Sequence, residues 1–147
     1  LTPSAIGVTV QGYSATLASW AGKTVPAGGA VGTTDTQTLS GKTIVGLKEA
    51  RVAMAANNID LATGNVFTKT ISGATTFTVS GVPATGNSAS FILKLTNGGR
   101  AGVTWWAGVK WPGGTPPTLT VSGRDNIYFQ TDDGGTTWDA AIIKDVK

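Results

Sequence analysis

Phe91-Ile92-Leu93-Lys94-Leu95-Thr96-Asn97-Gly98-Gly99 is the stretch whose reading decides the fold class. Phe91, Leu93 and Leu95 fall on one face of an extended chain and Ile92, Lys94 and Thr96 on the other, the period of two expected where one face of a strand meets a core. Asn97-Gly98-Gly99 then supplies a turn. The same grammar recurs outward in both directions, in Thr76-Phe77-Thr78-Val79, Val103-Thr104-Trp105, Thr118-Leu119-Thr120-Val121, Asn126-Ile127-Tyr128-Phe129-Gln130 and residues 137–143. Turn signals every eight to twelve residues between such runs mark an antiparallel sandwich or barrel. The expectation is an all-β domain over residues 47–147, an antiparallel β-sandwich of jelly-roll type. Its expected core is Phe77, Phe91, Leu93, Leu95, Trp105, Leu119, Ile127, Phe129, Trp138 and Ile142.

A chain of 147 residues has room for one such domain and an appendage. Charged residues make up 13% of it and Gly alone numbers 21, so hydroxyls and backbone carry solubility more than ion pairs do. The lysines and arginines behind the formal charge of +3 are scattered singly, which is no footprint of a nucleic-acid binder. Cys and His are both absent. That excludes disulfides, Ser-His and Cys-His nucleophiles and the common zinc sites, and no motif implies a cofactor. No apolar run reaches the ~20 residues of a membrane-spanning helix, and no signal peptide is evident. A start at Leu1 instead of Met suggests a portion of something longer.

Ahead of the β domain, Ile6, Val10, Tyr13, Leu17 and Trp20 step by four, three, four and three residues, the apolar stripe of a short amphipathic helix over residues 1–22. Gly7 and Gly12 weaken such a helix by about 1 kcal/mol each, so it needs a partner surface. Residues 23–46 are rich in Gly, Thr, Ala and Val and sustain no hydrophobic face, as an extended linker or stalk would. Val10, Tyr13, Leu17 and Trp20 are the expected contacts of a homotrimer built along this segment. Residues 47–56 are helix formers by propensity, yet Ala50, Val52 and Met54 alternate with Glu49, Arg51 and Ala53. A strand is the preferred reading and a helix the alternative.

Gly22-Lys23-Thr24 and Gly41-Lys42-Thr43 look like the end of a phosphate-binding loop, but Leu17 and Thr36 stand where the required earlier glycine would be, so they are read as turns. The acidic residues lie mostly at turns and strand ends and form no paired constellation, so an enzyme is not expected. Thr131-Asp132-Asp133-Gly134-Gly135-Thr136-Thr137-Trp138 resembles the Asp-box hairpin of sialidases and other β-propeller proteins, where it is structural. Asp133 would accept bonds from turn amides, Gly135 would take positive φ and Trp138 would cap the adjoining strand. Asp132 and Asp133 supply two oxygen ligands' worth of cation chemistry, fewer than a hard cation needs. Adjacent tryptophans on a strand face opposite ways, so Trp105 is assigned to the core and Trp106 outward, with Trp111 leading into the stiff Pro112-Gly113-Gly114-Thr115-Pro116-Pro117 turn. Trp106 and Trp111 are thus candidate glycan-stacking residues, against packing within the core or an interface.

Val10-Gln11-Gly12-Tyr13-Ser14-Ala15-Thr16-Leu17-Ala18 followed by Gly32-Thr33-Thr34-Asp35-Thr36-Gln37-Thr38-Leu39-Ser40-Gly41-Lys42-Thr43-Ile44 resembles a linker common in fibre proteins of tailed bacteriophages. Ser40-Gly41 departs from the Thr-Asn of that pattern. The β domain, with Asn58-Ile59-Asp60-Leu61, Leu95-Thr96-Asn97-Gly98-Gly99 and Val109-Lys110-Trp111-Pro112-Gly113-Gly114, is similar to the terminal domain that often follows it. The resemblance implies a non-enzymatic virion protein of a tail or head fibre. It implies a trimer, attached to other virion proteins through sequence upstream of Leu1, with a host surface glycan as a further partner. The rival expectation is an autonomous carbohydrate-binding module.

Overall fold

The computed structural model describes residues 40–147, and these are built from strands, turns and two 3-10 turns. The amphipathic helix over 1–22, the trimer contacts Val10, Tyr13, Leu17 and Trp20, and most of the 23–46 stalk lie outside the described residues. Residues 40–50 carry no helix or strand and are exposed throughout, with Val45 and Leu47 at 89% and 70%. From Val45 to Lys147 the chain forms one unit.

Ten strands follow in order: β1 (Arg51–Ala53), β2 (Asn58–Asp60), β3 (Val66–Thr70), β4 (Thr75–Thr76), β5 (Thr78–Ser80), β6 (Ala89–Thr96), β7 (Val103–Thr104), β8 (Val109–Lys110), β9 (Arg124–Thr131) and β10 (Trp138–Ile143). A six-stranded sheet runs β1-β3-β6-β9-β10-β8, and two ladders, β2-β5 and β4-β7, lie apart from it. The all-β expectation is met. Strand direction differs from the antiparallel jelly-roll expectation: β6 with β9 and β9 with β10 are antiparallel, whereas β1 with β3, β3 with β6, β8 with β10, β2 with β5 and β4 with β7 run parallel.

The cause is how the connections close. Parallel neighbours need a crossover, and here it is made of the short strands themselves: from β1 the chain passes through β2 before returning as β3, and from β3 through β4 and β5 before returning as β6. Each circuit lays one strand into the main sheet and one or two into the small ladders. Asn97-Gly98-Gly99 makes the expected turn, with Asn97 left-handed at φ 57°, but the chain then leads away to β7 instead of folding back as a hairpin. Alternation reports which face a side chain takes and is silent about the direction of the neighbouring strand.

The inner face of the large sheet and the small ladders share one apolar core. Phe77, Phe91, Leu93, Leu95, Ile127, Phe129 and Trp138 are buried as expected, while Trp105, Leu119 and Ile142 are half-buried against them. Ile59, Phe67, Ile71 and Trp111 join the core beyond the expected set. Residues 47–56 become strand only at Arg51–Ala53, because Val52 finds its ladder partner in Phe67. Packing overrides a helix preference worth only tenths of a kcal/mol per residue.

After β1 the Met54 N–H still bonds the Thr68 carbonyl, and Lys69 fastens the turn that follows. Its ammonium donates to the carbonyls of Ala55 at 2.8 Å, Ala56 at 3.1 Å and Met54 at 3.4 Å. Lys69→Met keeps the aliphatic stem and removes all three donors. The expected result is a loss of about 1 kcal/mol and faster amide hydrogen exchange confined to residues 54–57. Exchange that stays at the parent rate there would show that the lysine does not hold this turn.

Candidate functional site

Both tryptophans singled out from the sequence sit within the aromatic core. Trp105 stacks on Phe77 at 5.6 Å between ring centroids and lies 5.4 Å from Trp111. Trp106 packs 4.8 Å from Phe129, 5.7 Å from Trp138 and 6.0 Å from Phe91. Trp111, 7% exposed, meets the Phe129 ring at 5.8 Å. The outward placement of Trp106 and the free face expected for Trp111 are therefore corrected. Trp105 and Trp106 follow the two-residue strand β7 and sit in the connection to β8, where the strand rule of opposite faces no longer operates. Both rings turn inward, and the Trp106 indole N–H is buried without a hydrogen-bond partner among the described residues. Packing with the surrounding rings, not polar satisfaction, holds that indole in place.

The hairpin joining β9 to β10 has the geometry its sequence predicts. Thr131 Oγ1 donates to Asp133 Oδ1 at 3.0 Å, and the Gly135 N–H donates to Thr131 Oγ1 at 3.1 Å. The Thr137 N–H donates to Asp133 Oδ1 at 2.9 Å, and Trp138 Nε1–H to the Gly135 carbonyl at 3.0 Å. Gly134 and Gly135 take φ of 73° and 84°, a region that L side chains rarely adopt. The Thr137 amide, followed by the Thr131 hydroxyl, holds the Asp133 carboxyl below the usual carboxylate range. Asp132 is exposed. Among the described residues no group of three or more acidic side chains gathers as a metal ion would require.

A second fastener ties the segment before β9 to the end of the chain. Asp125, fully buried, accepts from the Thr120 N–H at 2.7 Å, the Thr120 hydroxyl at 2.6 Å and the Asp145 N–H at 3.0 Å. Burial by itself would raise this carboxyl, but the Thr120 and Asp145 donors and the Lys144 charge outweigh it and keep the group below its ordinary value.

The opposite, outer face of the six-stranded sheet carries a groove of ≈ 420 Å³. Register builds it from two adjacent rows. Ser90, Gln130 and Asp139 are cross-strand partners on β6, β9 and β10. Two residues along, Ile92, Tyr128 and Ala141 form an apolar row across β6, β9 and β10, which Val66 on β3 continues outside the lining. Tyr128 is 38% exposed. At the β3 end Asn65 Nδ2 donates to Glu49 Oε1 at 3.4 Å, and beside the polar row Gln130 Nε2 donates to Ser88 Oγ at 3.4 Å. Phe91, Phe129 and Ala140 also line the groove. Their side chains belong to the core on the other side, so they contribute main chain to its floor. Sequence reasoning passed over Tyr128, although its place between the inward Ile127 and Phe129 already puts it outside. Glu49, Asn65 and Asp139 carry no local signal, since only the register brings them together.

Among the described residues these observations define an all-β unit with one sheet face packed and one largely open. Comparison of the chain with protein-family models, with curated proteins and with solved structures found no match. Among the described residues no helix is long and apolar enough to cross a membrane.

Proposed function

We propose that this chain is a non-enzymatic structural and adhesive segment of a tailed-bacteriophage fibre, tail or head. In this reading it is a homotrimer in the virion, with a sandwich-like β head carried on an extended Gly/Thr-rich stalk. The observation that carries the reading is the paired resemblance, the linker at residues 10–18 and 32–44 ahead of the terminal-domain motifs. Two physical features support it. Val45 and Leu47 stand 89% and 70% exposed where the chain enters the β unit, as apolar side chains do when neighbouring chains are needed to cover them. The hairpin and carboxylate fasteners give the head local rigidity, which suits a particle surface. Upstream residues would join the trimer through Val10, Tyr13, Leu17 and Trp20 and lead to other virion proteins.

A second reading, an autonomous carbohydrate-binding module, draws on the groove on the outer sheet face. Sedimentation of the full chain separates the two. The fibre reading expects the mass of three chains at micromolar concentration. A monomer there would remove the trimer and favour the autonomous module.

A further inference from the structure

We propose that the groove on the outer face of the six-stranded sheet binds a neutral saccharide, with Tyr128 as the stacking platform. This rests on the adhesive part of the function proposed above. The groove's volume of ≈ 420 Å³ lies within the ~300–1,000 Å³ of ordinary ligand pockets. Its chemistry is that of sugar recognition. A pyranose ring has an apolar C–H face and a rim of hydroxyls, and the two rows of the groove match these in turn. Tyr128, with Ile92 and Ala141 beside it, offers the apolar face. The next row, Ser90, Gln130 and Asp139, and the Asn65–Glu49 pair at the β3 end offer hydroxyl, amide and carboxylate partners. Asn and Gln amides both donate and accept, and carboxylates accept from hydroxyls in charge-assisted bonds.

Two features sharpen the ligand class. The groove's lining holds the carboxylates Glu49 and Asp139 and no Lys or Arg. Lys110, the ladder partner of Asp139, and Arg51, the partner of Val66, end the two rows on the edge strands β8 and β1, and Lys94 follows Ile92 on β6, all three outside that lining. A carboxylated or sulfated sugar would meet like charge, so the site selects against acidic glycans. The second feature is rigidity. Tyr128 stands on β9, which is paired on both sides by β6 and β10, so its backbone is already fixed and little order is lost on binding. The tryptophans of the inner face take no part.

The test is an NMR titration of the full chain with three probes: cellotriose, triacetylchitotriose and 3'-sialyllactose. One of the neutral trioses is expected to shift the amides of Ser90, Ile92, Tyr128, Gln130 and Ala141 together and saturably, and sialyllactose to leave them in place. Tyr128→Ala is expected to weaken the neutral sugar about tenfold, while Tyr128→Phe, which keeps the ring, retains most of the affinity. The exposed position of Tyr128 lets both variants fold. The proposal is overturned if neither neutral triose shifts these amides at about 10 mM, the weak limit of measurable binding. It is equally overturned if Tyr128→Ala binds like the parent, or if that change lowers the sedimenting mass, which would make the face a contact between copies. Adsorption assays keep this proposal apart from the fibre reading. If parent chain and Tyr128→Ala block particle adsorption equally, the groove is wrong and the fibre stands. If the sugar binds at Tyr128 but the chain is monomeric and blocks nothing, the groove stands and the fibre falls.

Discussion

Trp138→Ala is expected to remove about 4 kcal/mol of stability, the upper range for deleting a large buried aromatic. Trp138 is 1% exposed. Its ring meets Phe91 at 5.5 Å and Trp106 at 5.7 Å, and its indole N–H closes the Asp133 hairpin on the Gly135 carbonyl. The substitution therefore opens a cavity at the centre of the aromatic core and frees the turn that sets the register of β9 on β10. Against a domain stability of about 5–15 kcal/mol, the variant would keep only about 1–11 kcal/mol and unfold at a much lower urea concentration. Trp138→Phe separates the two contributions, since it keeps a ring in the cluster and loses the hydrogen bond, and should cost about half as much. Urea melts of both variants check this through the midpoint at constant slope. An alanine variant within about 1 kcal/mol of the parent would show that the cluster does not hold the fold.

Asp125→Ala is the second large effect, about 2 kcal/mol, because it empties the site of a buried carboxylate and leaves two part-buried backbone N–H groups, those of Thr120 and Asp145, without their acceptor. Asp125→Asn should recover only part of the loss. One of its two oxygen positions becomes an NH₂, which faces a donor where an acceptor is needed. The pH dependence has a definite sign. The folded-state pKa of Asp125 lies below its ordinary value, so its contribution is fully present above the unfolded value near ~3.9 and is lost as pH falls through the lower folded value. The parent should lose stability on acidification in that window, and Asp125→Asn should lose less over the same range. Equal acid slopes for parent and variant would assign the acid sensitivity to other carboxylates, such as Asp133, which is also depressed.

What the chain's own residues determine is whatever depends on neighbours in sequence. The alternation of Phe91, Leu93 and Leu95 with Ile92, Lys94 and Thr96 is enough to choose strand and to choose the buried face, because side-chain direction along a strand has a strict period of two. The Asp133 hairpin was equally legible: every partner in it lies within a few residues, so the hydrogen bonds are properties of the octapeptide from Thr131 to Trp138. Tertiary structure decided the rest. It made β1, β3 and β6 parallel, since strand direction is set by the closure of connections many residues long. It drew Trp106 and Trp111 into the core, because their segments are too short or too irregular to be governed by alternation, and burying an aromatic ring is worth more than any local preference. And it assembled the outer groove, whose residues Glu49, Asn65, Ser90, Tyr128 and Asp139 come from distant parts of the chain and become neighbours only through the hydrogen-bonded register of the sheet.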